Sequence, residues 1–159
     1  MLNTKEEPSS HAAIDTLSVI GLGYIGLPTA AMFASTGINV IGVDISQRAV
    51  DAVNSGKAHI EEGNLDELVE RCVRAGRLKA TTQAVPADVF IIAVPTPVGH
   101  DEHHSPDVSY VQAAGRAIAP HLKPGDLVIL ESTSPVGTTG MLADLLATHP
   151  VALLVRSSD

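Results

Sequence analysis

The run Gly21-Leu22-Gly23-Tyr24-Ile25-Gly26 constrains this chain more than any other segment. An apolar stretch of strand length, residues 16–20, precedes it, and an Ala-rich stretch with helix character, residues 24–36, follows. Three glycines at this spacing have separate uses. Gly21 permits a tight turn out of the strand, Gly23 bares the backbone for a pyrophosphate, and Gly26 lets the helix pack close to the strand. The first N–H groups of such a helix face an anion, with the positive end of its dipole behind them. A glycine-rich turn with no ligand is the competing reading, because glycines this close together are common.

Asp44 weighs against that alternative. It ends a second predicted strand, residues 38–43, about 20 residues beyond the glycines, where a carboxylate accepts both hydroxyls of an adenosine ribose. A 2′-phosphate there would meet a negative charge, so the expected cofactor is NAD rather than NADP. Arg48 is the residue that argues the other way, since a nearby arginine accommodates such a phosphate. The plainer reading of Asp44 is an exposed carboxylate at a strand end.

Strand-length runs then alternate with helix-period segments. The predicted helices after the second strand cover residues 46–55, 65–75, 108–119 and 137–147. Asn64 or Asp66 stands near the start of the third helix. The predicted strands cover residues 78–81, 89–94 and 127–130, with one more candidate at 151–155. Gly37, Gly56 and Gly76 follow three of the helices and suit left-handed caps. Strands joined through helices mean βαβ units with right-handed crossovers. The expected fold is therefore α/β, a Rossmann-type doubly wound parallel sheet in a single domain over residues 16–159, after a disordered leader at residues 1–15. The chain has two Tyr, two Phe and no Trp, which leaves the core to Val, Ile, Leu and Ala, as a parallel sheet buried on both faces requires. A length of 159 residues suffices for one such domain.

Charge and composition narrow the partners. Eighteen acidic and ten basic side chains give a net charge of −8, which repels a polyanion, so no nucleic acid is expected. Apolar runs fall far short of the ~20 residues that cross a membrane, so no membrane partner is expected either. The amino terminus, with Lys5, Glu6, Glu7 and Pro8, carries no apolar stretch of signal-peptide type. A single cysteine, Cys72, allows no internal disulfide and fits a cytoplasmic location. On the third predicted helix, between Arg71 and Val73, Cys72 reads as structural.

Two further loops lie at the carboxyl ends of strands, where ligands of open α/β sheets bind. Pro95-Thr96-Pro97 is stiffened by two prolines around one hydroxyl; an ordinary rigid exit turn explains it equally well. Residues 131–139, Glu-Ser-Thr-Ser-Pro-Val-Gly-Thr-Thr, supply hydroxyls either to the nicotinamide half of a cofactor or to the capping of the next helix. His100, Asp101, Glu102, His103, His104 and Asp107 offer metal-ligand chemistry without a metal-site spacing, so no metal is expected. Glu61, Glu62, Asp66, Glu67 and Glu70 read as the wet face and entry of a helix.

Taken together, Val19 to Pro28, Ile41-Gly42-Val43-Asp44-Ile45, Ile92 to Pro97 and Leu130 to Gly137 resemble the UDP-glucose/GDP-mannose dehydrogenase family. The likeness covers about residues 16–149. The Ala-Val-Pro-Thr-Pro and Glu-Ser-Thr-Ser-Pro-Val-Gly forms favour its UDP-N-acetylmannosamine branch. The resemblance implies a four-electron oxidation, in which a primary alcohol at C6 of a UDP-sugar becomes a carboxylate and two NAD are reduced in turn, within nucleotide-sugar metabolism that serves polysaccharide biosynthesis. It implies NAD contacts at Gly21, Gly23, Tyr24, Ile25, Gly26, Asp44, Ile45, Thr96, Thr133 and Thr139, with Thr133 near the reacting centre. The family's catalytic cysteine lies in a later glycine-rich segment that Cys72 does not match. Its catalytic lysine and substrate-binding glutamate segment are likewise unmatched, and residues 154–159 do not resemble the family continuation. On this reading the central and carboxyl-terminal domains are absent, the chain binds NAD without turnover, and the full-length protein is a homodimer that meets its UDP-sugar only with those domains. A stand-alone NAD-binding module with a regulatory or structural role is the alternative. A hydroxyacid dehydrogenase is disfavoured by the Pro-Thr-Pro and Ser-Thr-Ser-Pro-Val-Gly segments.

Overall fold

The structure, a computed structural model, describes residues 14–60, 63–98 and 106–149. Among these residues five strands form one parallel sheet: β1 (Thr16–Ile20), β2 (Asn39–Val43), β3 (Leu78–Thr81), β4 (Val89–Ile92) and β5 (Leu127–Leu130). Their spatial order is β3-β2-β1-β4-β5. The chain works outward from β1 in one direction, then returns to lay β4 on its other side. The carboxyl ends of β1 and β4 therefore diverge into a crevice at the point where the strand order reverses.

Side chains alternate across the sheet, and each face has its own apolar core. Leu17, Val19, Val40, Leu78, Val89 and Ile91 face α1 (Gly26–Ser35), α2 (Gln47–Asn54) and α3 (Leu65–Arg74). Ile20, Val43, Phe90 and Ile92 face α4 (Ser109–Ile118) and α5 (Thr138–Ala147). Residues 82–88 carry the chain from β3 past β2 and β1 to β4 without a helix. Ala84 and Ala87 on this strap pack into the second core. Ser18, fully buried on β1, has an Oγ with no hydrogen-bond partner among the described residues.

The elements fall where the apolar periodicity places them, with ends trimmed by local geometry. The helix predicted at residues 24–36 starts at Gly26, because Tyr24 and Ile25 are used in the glycine turn. The strand predicted at 89–94 ends at Ile92. Beyond it Ala93 N–H still reaches Ile20 O at 2.8 Å, but Val94 O is taken by the Ser132 hydroxyl. Gly37, Gly56 and Gly76 all adopt positive φ (+100°, +78° and +68°) after their helices, as their caps require. Asn64 precedes α3 in a left-handed conformation without capping through its side chain; Asp66 accepts from Ala58 N–H at 2.7 Å instead.

Asp15, assigned from sequence to the leader, joins the fold: its N–H donates to Asp88 Oδ2 at 3.1 Å and its carbonyl accepts from Asn39 N–H at 3.3 Å. Asp88 is the hub of the sheet's amino edge. It also accepts from Thr16 N–H at 3.0 Å and from Lys123 Nζ at 3.0 Å, while Lys123 Nζ reaches Asp126 Oδ1 at 2.6 Å. Residues 1–13, the candidate strand at 151–155 and the His100–His104 segment lie outside the described residues.

Candidate cofactor site

The three glycines of the first turn are needed for different physical reasons. Gly21 has φ +95°, its N–H donates to Val43 O at 2.7 Å, and a Cβ on it would stand 2.6 Å from Ala93 O. A Cβ on Gly26 would lie 1.8 Å from Gly21 O and 3.2 Å from Ala93 Cβ, so α1 sits against the turn with no room for a side chain. Around Gly23 no atom lies within 4 Å of an added Cβ. The chain itself therefore demands glycine at 21 and 26 but not at 23, where the bare backbone faces open space on the ligand side. Leu22, fully buried, anchors the turn by packing over Gly42 of β2, where a Cβ would be 2.6 Å from Leu22 Cδ2. Sequence reasoning passed over this pair, although a glycine inside a strand marks a close approach of other atoms.

The turn also leaves donors unused. α1 hydrogen bonding starts with Leu27 N–H to Gly23 O and Thr29 N–H to Ile25 O, each 3.1 Å. Among the described residues the N–H groups of Tyr24, Ile25 and Gly26 have no protein acceptor, which is the arrangement that holds an anion at a helix start. Asp44 stands beside them, half-buried at the end of β2. Its Oδ2 accepts from Leu22 N–H at 2.9 Å and its Oδ1 from Ser46 N–H at 2.8 Å. Each carboxylate oxygen keeps a further lone pair, so the side chain is held in one orientation with acceptor capacity left over. Ser46 in turn caps α2, accepting from Ala49 N–H. Tyr24, Ile25 and Ile45 are exposed around this carboxylate half of the site, an apolar rim that suits an adenine face. Bare backbone at Gly23, free donors and a fixed carboxylate together fit the two phosphates and ribose of NAD.

Across the crevice, the loops after β4 and β5 are joined to each other. The Thr96 hydroxyl donates to Thr133 O. The Ser132 hydroxyl donates to Val94 O at 2.8 Å and Ile92 O at 3.3 Å, and Glu131 N–H continues the ladder to Ile92 O at 2.9 Å. The Thr29 hydroxyl on α1 donates to Glu131 Oε1 at 3.1 Å. These hydroxyls do not cap the next helix. The N-cap of α5 is Gly137, with φ +88° and no side-chain cap, while Thr138 turns its hydroxyl back to Pro135 O. Thr96 and Thr133 are thus brought together at one edge of the sheet. Thr139 is exposed on the first turn of α5 and makes no bond to either loop. Thr29, Glu131 and Ser132 are linkers that the sequence did not announce, because their partners lie 102 and about 40 residues away.

The family model for the NAD binding domain of UDP-glucose/GDP-mannose dehydrogenases matches residues 15–154. The chain belongs to this family. It is its NAD-binding domain, and NAD is its cofactor. It is 60% identical over 132 residues to an NDP-N-acetyl-D-galactosaminuronic acid dehydrogenase of Ralstonia nicotianae, and equally to a UDP-N-acetyl-D-mannosamine dehydrogenase of Salmonella typhi. Each alignment covers 83% of this chain and 31% of the relative, so the chain spans about a third of the length of these relatives. Among solved structures, the UDP-N-acetyl-mannosamine dehydrogenase of Staphylococcus aureus superposes with a TM-score of 0.80 at 44% identity, over 84% of this chain and 32% of that one.

Other chemistry-bearing groups serve the fold. Cys72 is buried on α3, with Sγ 3.5 Å from Ala31 O. Burial pushes its thiol up, against a smaller downward pull from Arg71, so it is a poor thiolate. Asp107, grouped in sequence with the histidine-rich segment, lies just before α4: its carboxylate accepts from Ser109 N–H at 2.9 Å, and bonds to Ser109 hold it below its ordinary range. No described helix is long and apolar enough to cross a membrane.

Proposed function

We propose that this chain is the cofactor-binding part of an NAD-dependent dehydrogenase that oxidises the C6 alcohol of UDP-N-acetylmannosamine, or a similar UDP-sugar, to the carboxylate. The observation that carries the reading is the pairing at one sheet edge of a glycine turn with free donors and a carboxylate fixed by Leu22 and Ser46, opposite the linked Thr96 and Thr133. Its curated relatives bear dehydrogenase names for two N-acetylated sugars at the same identity; the mannosamine branch is chosen on the segments quoted from sequence.

In this reading the N–H groups of Tyr24, Ile25 and Gly26 bind the pyrophosphate, and Gly21, Gly23 and Gly26 let it approach. Asp44 accepts the adenosine ribose hydroxyls and excludes a 2′-phosphate by charge, with Ile45 against the adenine. Thr96, Thr133 and Thr139 serve the nicotinamide half, Thr133 nearest the reacting carbon. Bound NAD supplies the hydride acceptor. Cys72, buried with a raised thiol, does not supply the nucleophile for the aldehyde stage. The working protein is a cytoplasmic homodimer acting on a UDP-sugar.

Calorimetric titration of the purified chain with NAD and NADP, beside Asp44→Ala, tests the reading. NAD binding that exceeds NADP binding and falls about tenfold or more in the variant is the expected outcome, the loss of a hydrogen bond to a charged group. A folded chain that binds neither cofactor would overturn it.

A further inference from the structure

We propose that Glu131 biases the cofactor site toward the oxidised form of NAD. The inference rests on the cofactor reading above and deepens it. Asp44 at the end of β2 assigns the adenosine to the β1/β2 side of the crevice, so the nicotinamide half lies over the ends of β4 and β5. Glu131 is the first residue beyond β5. Its backbone is held by the bond from its N–H to Ile92 O at 2.9 Å, and its Oε1 by the Thr29 hydroxyl at 3.1 Å. The side chain is exposed, and among the described residues no lysine or arginine pairs with it. A whole negative charge is therefore tethered between α1 and the nicotinamide side of the edge.

The nicotinamide ring is positively charged when oxidised and neutral when reduced. The phosphates and riboses are the same in both forms, so Asp44 and the glycine turn do not distinguish them. A fixed carboxylate on the β5 side does, by attracting only the oxidised ring. In a reaction that reduces two NAD in succession, the site exchanges NADH for NAD while a half-oxidised substrate waits. A preference for the oxidised form drives that exchange forward.

The test is titration of the purified chain with NAD, NADH and ADP-ribose, in wild type, Glu131→Gln and Thr29→Val. Glutamine keeps an acceptor for the Thr29 hydroxyl and removes only the charge. The ratio Kd(NADH)/Kd(NAD) is expected to fall about two- to fivefold in Glu131→Gln, the effect of one exposed unit charge screened nearly as in bulk water, with ADP-ribose affinity unchanged. Thr29→Val, which frees the carboxylate, is expected to shift the ratio the same way by less. An unchanged ratio in Glu131→Gln would overturn the proposal, as would an equal loss for NAD, NADH and ADP-ribose, which marks a structural role. ADP-ribose binding by the wild-type chain judges the underlying cofactor reading separately: binding with an unchanged ratio sinks only the proposal, and no binding sinks both.

Discussion

The two edges of the sheet are built on opposite terms. At the amino edge, Lys123, Asp88 and Asp126 satisfy one another, and Asp88 also receives the N–H groups of Asp15 and Thr16. At the carboxyl edge, the N–H groups of Tyr24, Ile25 and Gly26 find no acceptor among the described residues, and Tyr24, Ile25, Ile45 and Val136 stand in solvent. The first edge completes itself; the second keeps free donors and exposed apolar side chains. The contrast shows where this fold places stability and where it leaves capacity for binding, and substitutions at each edge should fail in different ways.

The largest effect is expected where the two requirements meet. Gly26→Ala puts a Cβ 1.8 Å from Gly21 O, so both stability and binding should collapse, with a loss of about 3 kcal/mol or more from the overpacked turn. Thermal unfolding followed by circular dichroism reads this directly; a variant that melts like wild type would show that the turn is not under the constraint described. Gly23→Ala should separate the two properties. Its added methyl meets no protein atom, so stability should change by no more than about 1 kcal/mol, while NAD affinity drops at least about tenfold because the methyl occupies the approach of the pyrophosphate. Unchanged affinity there would remove the argument that the space beside Gly23 belongs to a ligand.

At the amino edge, Lys123→Met should lower the melting temperature without touching NAD affinity. The pH dependence follows from the shifts. The Lys123 side chain, then the N–H groups of Thr16 and Asp15, hold Asp88 below its ordinary range. Its contribution is therefore present above the usual carboxylate range and is lost as pH falls through its folded value. Asp126, then Asp88, hold Lys123 above its ordinary value, so its contribution is present below the usual lysine range and is lost as pH rises through the raised value. The melting gap between wild type and Lys123→Met should be flat from about pH 5 to 9 and shrink toward pH ~2. A gap that persists in acid would mean that the lysine stem, not its charge, is what matters. The effect is modest, since Lys123 is more than half exposed and such pairs are screened.

The smallest change is expected at Ser18, whose fully buried hydroxyl has no partner among the described residues. Ser18→Ala removes a polar group that loses hydration without gaining a bond, so it should stabilise the chain by up to about 1 kcal/mol and leave both edges as they are. Destabilisation on denaturant melting would reveal a partner for that hydroxyl, an internal water for example.

Much of this was written in the sequence. Strand-length apolar runs, glycines after helices and the spacing from Gly21 to Asp44 are local signals, each set by backbone conformation or by alternation along one element, so they survive without knowledge of the fold. The same locality explains why the element interiors were legible and their ends were not: whether residues 24 and 25 continue a helix depends on the turn that Gly21 makes against Ala93. Tertiary structure decided what proximity decides. It set Leu22 over Gly42, gave Asp44 the N–H groups of Leu22 and Ser46, bound Thr96 to Thr133, and tied Thr29 to Glu131 across 102 residues. It also drew the Ser132 hydroxyl to the carbonyls of Ile92 and Val94 at the end of β4, while α5 begins without a side-chain cap. A sequence states which groups can bond and how the backbone prefers to run; which of them meet is fixed only when β1 and β4 pair and bring their loops to one edge.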